Sequence, residues 1–362
     1  MSSSRNPKHH HKPGCASAIP DGCARRGKAQ AAASAAPWSR RTALAFAAAA
    51  CAGSALPLHA LASPGRIRLV IPFAAGATSD LLARPIVQAL QRELGQEIVI
   101  DNKPGAGGLT GAAEVARAAP DGLTLAWGTV SNHAIAPSLY PNPPYDPLRD
   151  FAPIALLCSV PHVVMVHPSV PARTLAELVA LLKREPGRWD YASSGNGTLS
   201  HLIAESFKSL TDTFSVHIPY RSSAQGLPDF LAGRVPLMFD TLVVSRGLVL
   251  DGRAQALAVT SAQRTPLLPD VPTARESGVP GLRDFEASGW FGIYGPAALP
   301  AAAVQRLNAA LNRVIAQPEV AAALRQAGAT VLGGSAAVFA EHNRREVQRW
   351  AAVVRRLGVR VD

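Results

Sequence analysis

The sequence predicts an α/β protein of two lobes, and three observations carry that prediction. Strand-like and helix-like runs alternate from Arg66 to Gly128 and again from Thr174 to Thr260, as in parallel sheets with right-handed crossovers. The 362 residues exceed one typical domain, so two cores are expected. Two glycine-bearing loops each join a strand-like run to a helix start. One is Phe73-Ala74-Ala75-Gly76-Ala77-Thr78 after Ile67–Pro72, and the other is Ser193-Ser194-Gly195-Asn196-Gly197-Thr198 after Trp189–Ala192. A helix start offers unpaired N–H groups and a positive dipole end, which suit an anion. Two such starts, far apart in the chain, fit two lobes closing on a small acid.

In chain order, Arg66–Phe73 is β-rich, and Leu82, Ile86, Leu90 and Leu94 mark a helix over Leu81–Leu94 that Gly95 stops. Pro85 falls about one turn in, where its missing N–H costs least. Strand Glu97–Asp101, a glycine turn at 102–108, helix Leu109–Ala119 and strand Leu123–Trp127 follow. Ile154–Val166, interrupted by Pro161, reads as a strand crossing between lobes. Thr174 and Glu177 form a capping box opening a helix to Arg184. Strand Arg188–Ala192, helix Thr198–Leu210, strand Phe214–Tyr220, helix Ala224–Ala232, strand Val235–Asp240, helix Leu242–Leu250 and strand Ala254–Thr260 complete the second set. Ala287–Tyr294 reads as the return crossing, before helices Ala301–Ala316, Glu319–Ala327 and Ala336–Leu357. Lobe 1 is thus expected at 63–165 plus 286–362, and lobe 2 at 166–285.

The formal charge of +11 invites a nucleic-acid reading, but most of it lies in the leader. Removing the eight bases and one acid of residues 1–62 leaves 28 Lys/Arg against 24 Asp/Glu, so no nucleic-acid partner is expected. Residues 1–62 have the layout of an export signal. Arg40-Arg41 precede an apolar run from Ala43 to Leu58, and Ala60-Leu61-Ala62 supplies a small-x-small cleavage site. The pair of arginines fits a twin-arginine signal, and a general secretory signal fits as well. Cleavage after Ala62 leaves Cys158 as the sole cysteine, too few for a disulfide or a zinc site. Cys158 lies in the run Ile154–Cys158 and reads as a buried structural residue.

The chain resembles, along nearly all of its mature length, the periplasmic solute receptors of the tripartite tricarboxylate transporters, often called Bug receptors. The resemblance runs through Ile67–Phe73, Asp101-Asn102-Lys103-Pro104-Gly105-Ala106-Gly107-Gly108, Ala118–Gly122, Pro144–Pro147 and Asp150–Ile154. It continues in Tyr191–Gly197, Leu237-Met238-Phe239-Asp240, Leu257–Ser261 and Leu268–Thr273. It implies a two-lobed, type II periplasmic-binding fold, a clamshell with two crossover strands. It also implies a periplasmic monomer that encloses a small carboxylate and presents it to membrane transporter subunits, without cofactor. A sensor engaging a membrane signalling partner, or an enzyme acting on a small acid, are the alternatives.

Carried over onto this sequence, the ligand-binding candidates are Phe73, Ala75, Gly76, Ala77 and Thr78 in the first loop, and Ser193, Ser194, Gly195, Asn196 and Thr198 in the second. The segment Gly128–His133, with Thr129 and Asn132 foremost, and the pair Asp240-Thr241 are expected to line the remainder, and His201 joins the set from the helix that follows the second loop. Two departures from the family pattern stand out: Ala77 where a second glycine is usual, and Arg221-Ser222 after Pro219-Tyr220 where Lys-Gly is usual.

Each candidate also has a plainer reading. Gly76 fits an ordinary strand–helix turn, and Ser193, Ser194 and Asn196 fit helix caps. His201 faces either the cleft or the lobe interior. Asp240 binds either a ligand amine or hydroxyl, or a hinge hydrogen bond. His133 reads as structural, while His162, His167, His217 and His342 carry no signal. Enzyme motifs fail on their spacing: there is no Gly-x-Ser-x-Gly elbow, no Walker loop, and no metal-ligand spacing among the histidines. No catalytic or metal-binding residue is therefore expected.

Overall fold

The computed structural model describes residues 65–361; the leader expected at 1–62 lies outside the described residues. Strands β1 (Ile67–Ile71), β2 (Ile98–Asn102) and β3 (Thr124–Thr129) form a parallel set in the order β2-β1-β3. Helices α1 (Thr78–Leu94) and α2 (Leu109–Ala116) supply its crossovers. Helix α1 starts three residues before the expected Leu81, so Pro85 is its eighth residue rather than lying about a turn in. The apolar spacing marks the buried stripe, whereas the start is set by Asp80, which reaches back to accept the Gly76 N–H at 2.9 Å.

After β3 the chain makes a wide, π-type turn over Ser131–Ile135 and runs into the short α3 (Ala136–Leu139). Neither was visible in the sequence pattern. Strand β4 (Phe151–Val166) then spans sixteen residues. Its first part pairs antiparallel with β9 (Ser288–Pro296), and its second part with β7 (Leu237–Thr241) and β8 (Gln255–Val259). Pro161 does not break β4, as its lack of an N–H suggested. It sits at the hand-over, opposite Ser288 at the end of the β9 pairing and one residue before His162 pairs with Thr241. A missing donor is tolerated where one set of ladder partners gives way to another.

The second parallel set, in the order β7-β5-β6, comprises β5 (Tyr191–Ser193), β6 (His217–Pro219) and β7. It carries helices α4 (Leu175–Arg184), α5 (Leu199–Thr211), α6 (Ser223–Leu231) and α7 (Leu242–Leu250). β6 is shorter than the expected Phe214–Tyr220. It is an edge strand, and Phe214 and Val216 remain exposed beside it. At the start of α4, Thr174 accepts the Glu177 N–H, but the Glu177 carboxylate passes the cap residue and takes the Arg173 N–H. The capping box is therefore only half made.

The two parallel sets thus join through the long antiparallel pair β4 and β9. Strand β10 (Thr330–Val331) adds to β4 on the edge opposite β9. Helices α8 (Ala301–Ala316), α9 (Pro318–Gln326) and α10 (Ala336–Leu357) close the chain on the first set. Helix α10 buries Phe339, Asn343, Glu346, Trp350 and Val354, a stripe of helical period laid along β4, α3 and α5. Its Phe339 ring occupies the space over Gly292, where a Cβ would come within 2.2 Å of it.

Candidate functional site

Between the two parallel sets lies a cavity of about 70 Å³. That is several times the ~10–15 Å³ one water requires. Four helix starts converge on it. Thr78 of α1, Leu199 of α5 and Ser223 of α6 are first helical residues, and Thr241 is the cap residue of α7; all four line the cavity. Among the described residues, the N–H groups of Thr78 and Ser79 have no acceptor, nor do those of Ser200 and Ser223. Helix starts aimed at one point make an anion site from backbone alone. No Lys or Arg is among the lining residues, so those N–H groups are what the cavity offers an anion in place of a cationic side chain.

The halves touch around this cavity. The Thr78 and Thr241 hydroxyls lie 2.6 Å apart, and the Leu199 N–H donates to the Ser131 hydroxyl at 3.1 Å. The second glycine loop also approaches the first half closely. A Cβ on Gly197, whose φ is +74°, would lie 2.2 Å from Leu139, and one on Gly107 would lie 3.0 Å from the Asn196 carbonyl. The structure therefore has its two walls in contact around the cavity.

The structure brings Phe73, Ala77, Thr78, Thr129, Ser194 and Asp240 together in the cavity wall. Gly195 and Asn196 instead line an outer cleft with Tyr140, Tyr220 and Arg221, and that cleft shares Phe73 and Ser194 with the cavity. Ala75 and Gly76 are exposed and outside the lining, and the Gly76 N–H is taken by Asp80. At φ +78° with open space around it, Gly76 serves the turn.

Asn132 stands one layer back. Its Oδ1 accepts the Thr129 N–H and hydroxyl at 2.8 and 2.9 Å, fixing Thr129 towards the cavity. Ser193 and Thr198 likewise work behind the wall. Ser193 bonds the His217 Nε2 at 2.6 Å and accepts the Gly195 N–H, while Thr198 donates to the Gly195 carbonyl at 2.7 Å. His201 faces the lobe interior. Its ring stacks on His217 at 4.1 Å, and its Nδ1 accepts the Gly197 N–H at 3.2 Å. Burial holds both imidazoles low, His201 at about 4 and His217 at about 3. The pair is a neutral stack supporting the loop.

Ser131 lines the cavity as expected of its segment, and several other lining residues carried no expectation from sequence: His162, Ser200, Ser222 and Trp290. His162 is buried in β4 with an unpartnered Nδ1, and burial pushes it down to about 3. A signal for His162 and Trp290 was present, because both lie in the crossing strands, which must border any space between the halves. Asp240 is 2 % exposed. Its Oδ1 accepts the Thr241 N–H at 2.6 Å, and its Oδ2 has no partner. Burial pushes this carboxyl up to about 6, with Ser223 and Thr241 pulling the other way. His133, by contrast, is stacked on Tyr294 at 3.9 Å, packs edge-on to Phe151 at 4.7 Å, and lies outside the cavity. Among the described residues no cluster of His, Cys, Asp or Glu could hold a metal ion.

Two parallel α/β halves bridged by long antiparallel strands, with the cavity between them, define a two-lobed periplasmic-binding fold. Comparison with known proteins narrows this further. The family model described as the tripartite tricarboxylate transporter family receptor matches residues 82–359, and the chain belongs to that family. It is 33 % identical over 314 residues to protein BugT of Bordetella pertussis, covering 86 % of this chain and 95 % of that one. Among solved structures, the periplasmic binding protein BugD superposes with a TM-score of 0.78 at 33 % identity, over 82 % of this chain and 99 % of BugD. MatC of Rhodopseudomonas palustris with bound malate gives 0.76 at 34 %, over 80 % and 99 %. The R. palustris protein Rpa4515 with adipate gives 0.79 at 36 %, over 82 % and 99 %. The family is one of solute-binding receptors.

Proposed function

We propose that this protein is an exported receptor that encloses a small organic acid between its lobes and hands it to a tripartite membrane transporter. The convergence of four helix starts on one cavity without Lys or Arg carries this reading. In it, the free N–H groups at Thr78, Ser79, Ser200 and Ser223 hold a carboxylate, and the Thr129 and Ser194 side chains complete the shell. Malate and adipate in MatC and Rpa4515 support the ligand class. The Thr78–Thr241 and Leu199–Ser131 bonds belong to the closed form, and ligand binding shifts an open form towards it. The lobes divide at 166 and 286, the leader directs the chain to the periplasm, and the mature receptor acts as a monomer.

A thermal-shift panel of mono-, di- and tricarboxylates, acidic amino acids and aromatic acids tests the reading. A ligand at a hundredfold excess over Kd stabilises by about 2.7 kcal/mol. A shift with at least one carboxylate is expected, and loss of uptake of that acid on deleting the gene tests delivery. A folded, ligand-free protein that no carboxylate stabilises would overturn the assignment.

A further inference from the structure

We propose that Asp240 is protonated in the ligand complex, so that the receptor captures each carboxylate together with one proton. This rests on the reading that the cavity takes a carboxylate. The Asp240 Oδ1 is committed to the Thr241 N–H, while Oδ2 is buried in the cavity wall without a partner. A bound carboxylate enters the same space of about 70 Å³, and no Lys or Arg lines it. Two carboxylates would then compete for the same helix starts. Like charges sharing a site raise the affinity of one of them for a proton.

The surroundings leave Asp240 as the group that yields. Burial has already raised its pKa in the free protein, and no charged residue contributes to that shift. Ser223 at the start of α6, Thr241 at the start of α7 and Thr78 at the start of α1 are neutral. From β4 the one titratable neighbour in the lining is His162, which burial keeps neutral. Once protonated, Asp240 becomes an O–H donor. The two negative charges in the site then become one. The proton comes from solvent, and no covalent bond in the ligand changes.

Isothermal titration calorimetry of the whole protein at about pH 7.5, with adipate, malate and any acid that shifts its melting, tests this in phosphate and Tris. These buffers differ in ionisation heat, so proton uptake separates the two apparent enthalpies. The expected result is uptake close to one proton per ligand, with affinity falling by up to about tenfold per pH unit above pH 7. Asp240→Asn should bind with no buffer dependence and a flat pH profile, while His162→Gln keeps the uptake. Binding by the wild type without proton uptake overturns the proposal and leaves the carboxylate reading standing. Uptake that survives Asp240→Asn and disappears in His162→Gln overturns it too. Absence of binding by every carboxylate overturns the carboxylate reading, and this inference with it.

Discussion

The loop into α1 and the loop into α5 deliver helix starts to one cavity, yet they are held in different ways. The first is fixed by the opening turn of the helix that follows it. Its Gly76 N–H is capped by Asp80, which is also paired with Arg84 at 2.9 Å, and its glycine stands in open space. The second is fixed from inside: Ser193 and Ser200 accept its Gly195 and Ser194 N–H groups, His201 accepts that of Gly197, and the stacked His201 and His217 lie beneath. The first loop therefore tolerates change in its glycine, while the second loop ties Gly197 to the opposite wall. What reaches the cavity in both cases is the first turn of the helix rather than the glycine itself.

The sharpest way to break this contrast is to add one methyl group to each loop. Gly197→Ala places a Cβ 2.2 Å from the buried Leu139 in a backbone conformation that disfavours alanine. Ligand affinity should fall tenfold or more, because the clash lies where the walls meet. Gly76→Ala meets nothing within 4 Å and costs only the left-handed strain, about 1 kcal/mol of stability, with binding kept. Titration calorimetry and chemical denaturation of the pair read both effects. Equal loss of affinity in the two variants would end the distinction.

Side-chain deletions should divide in the same way. Asp80→Ala uncaps the Gly76 N–H and removes the Arg84 pair, and should cost about 1–3 kcal/mol by urea unfolding. Ser193→Ala removes the bond to His217 and should cost about 1 kcal/mol, chiefly in stability. Ser194→Ala, whose hydroxyl is shared only with Ser200 and borders the cavity, should weaken binding more than folding. A Ser194→Ala variant with full affinity would remove the second loop from the ligand shell.

Much of this fold was legible because its signals are periodic. The alternation of strands and helices, the two crossings and the three C-terminal helices all follow from apolar spacing and proline punctuation. The site was legible only in part, for physical reasons. Gly76 and Gly197 read alike as loop glycines, and only the tertiary contact with Leu139 separates them. Ser193, Asn132, Thr198 and His201 are polar residues in the right segments that turn away from the cavity: Ser193 to His217 on a distant strand, and Asn132, Thr198 and His201 to backbone or side-chain groups three or four residues away. His162 lay in an apolar crossing strand where one polar residue was a readable signal, because a strand shared by both halves borders the space between them.

Acid should separate the loops as well. His201 and His217 are held low, at about 4 and about 3, by burial first. The unfolded chain therefore takes up protons below about pH 6.5 that the folded form excludes, and stability is lost as pH falls through that window. For Asp80, burial raises the pKa, but the Gly76 N–H and Arg84 outweigh it, so its stabilisation persists until pH drops below the ordinary carboxylate range. Hydrogen exchange at about pH 5, corrected for its intrinsic rate, should show residues 193–198 opening before residues 74–78. Simultaneous opening would mean that the histidine stack does not support the second loop.

The smallest effect belongs to the contact between the walls. Thr78→Val keeps the shape of the side chain but removes the hydroxyl that meets Thr241, leaving the Leu199–Ser131 bond as the remaining hydrogen bond described above between the halves. A typical hydrogen bond contributes about 0.5–1.5 kcal/mol, so affinity should fall about two- to tenfold. If the bond is lost when the lobes open, as proposed, the loss should fall on the dissociation rate. Stopped-flow release of the bound acid distinguishes this from a direct ligand contact, because Thr241→Val should give the same rate and the double variant should add little. Additive losses would instead mean that each hydroxyl serves the ligand separately, and that the walls meet without needing one another.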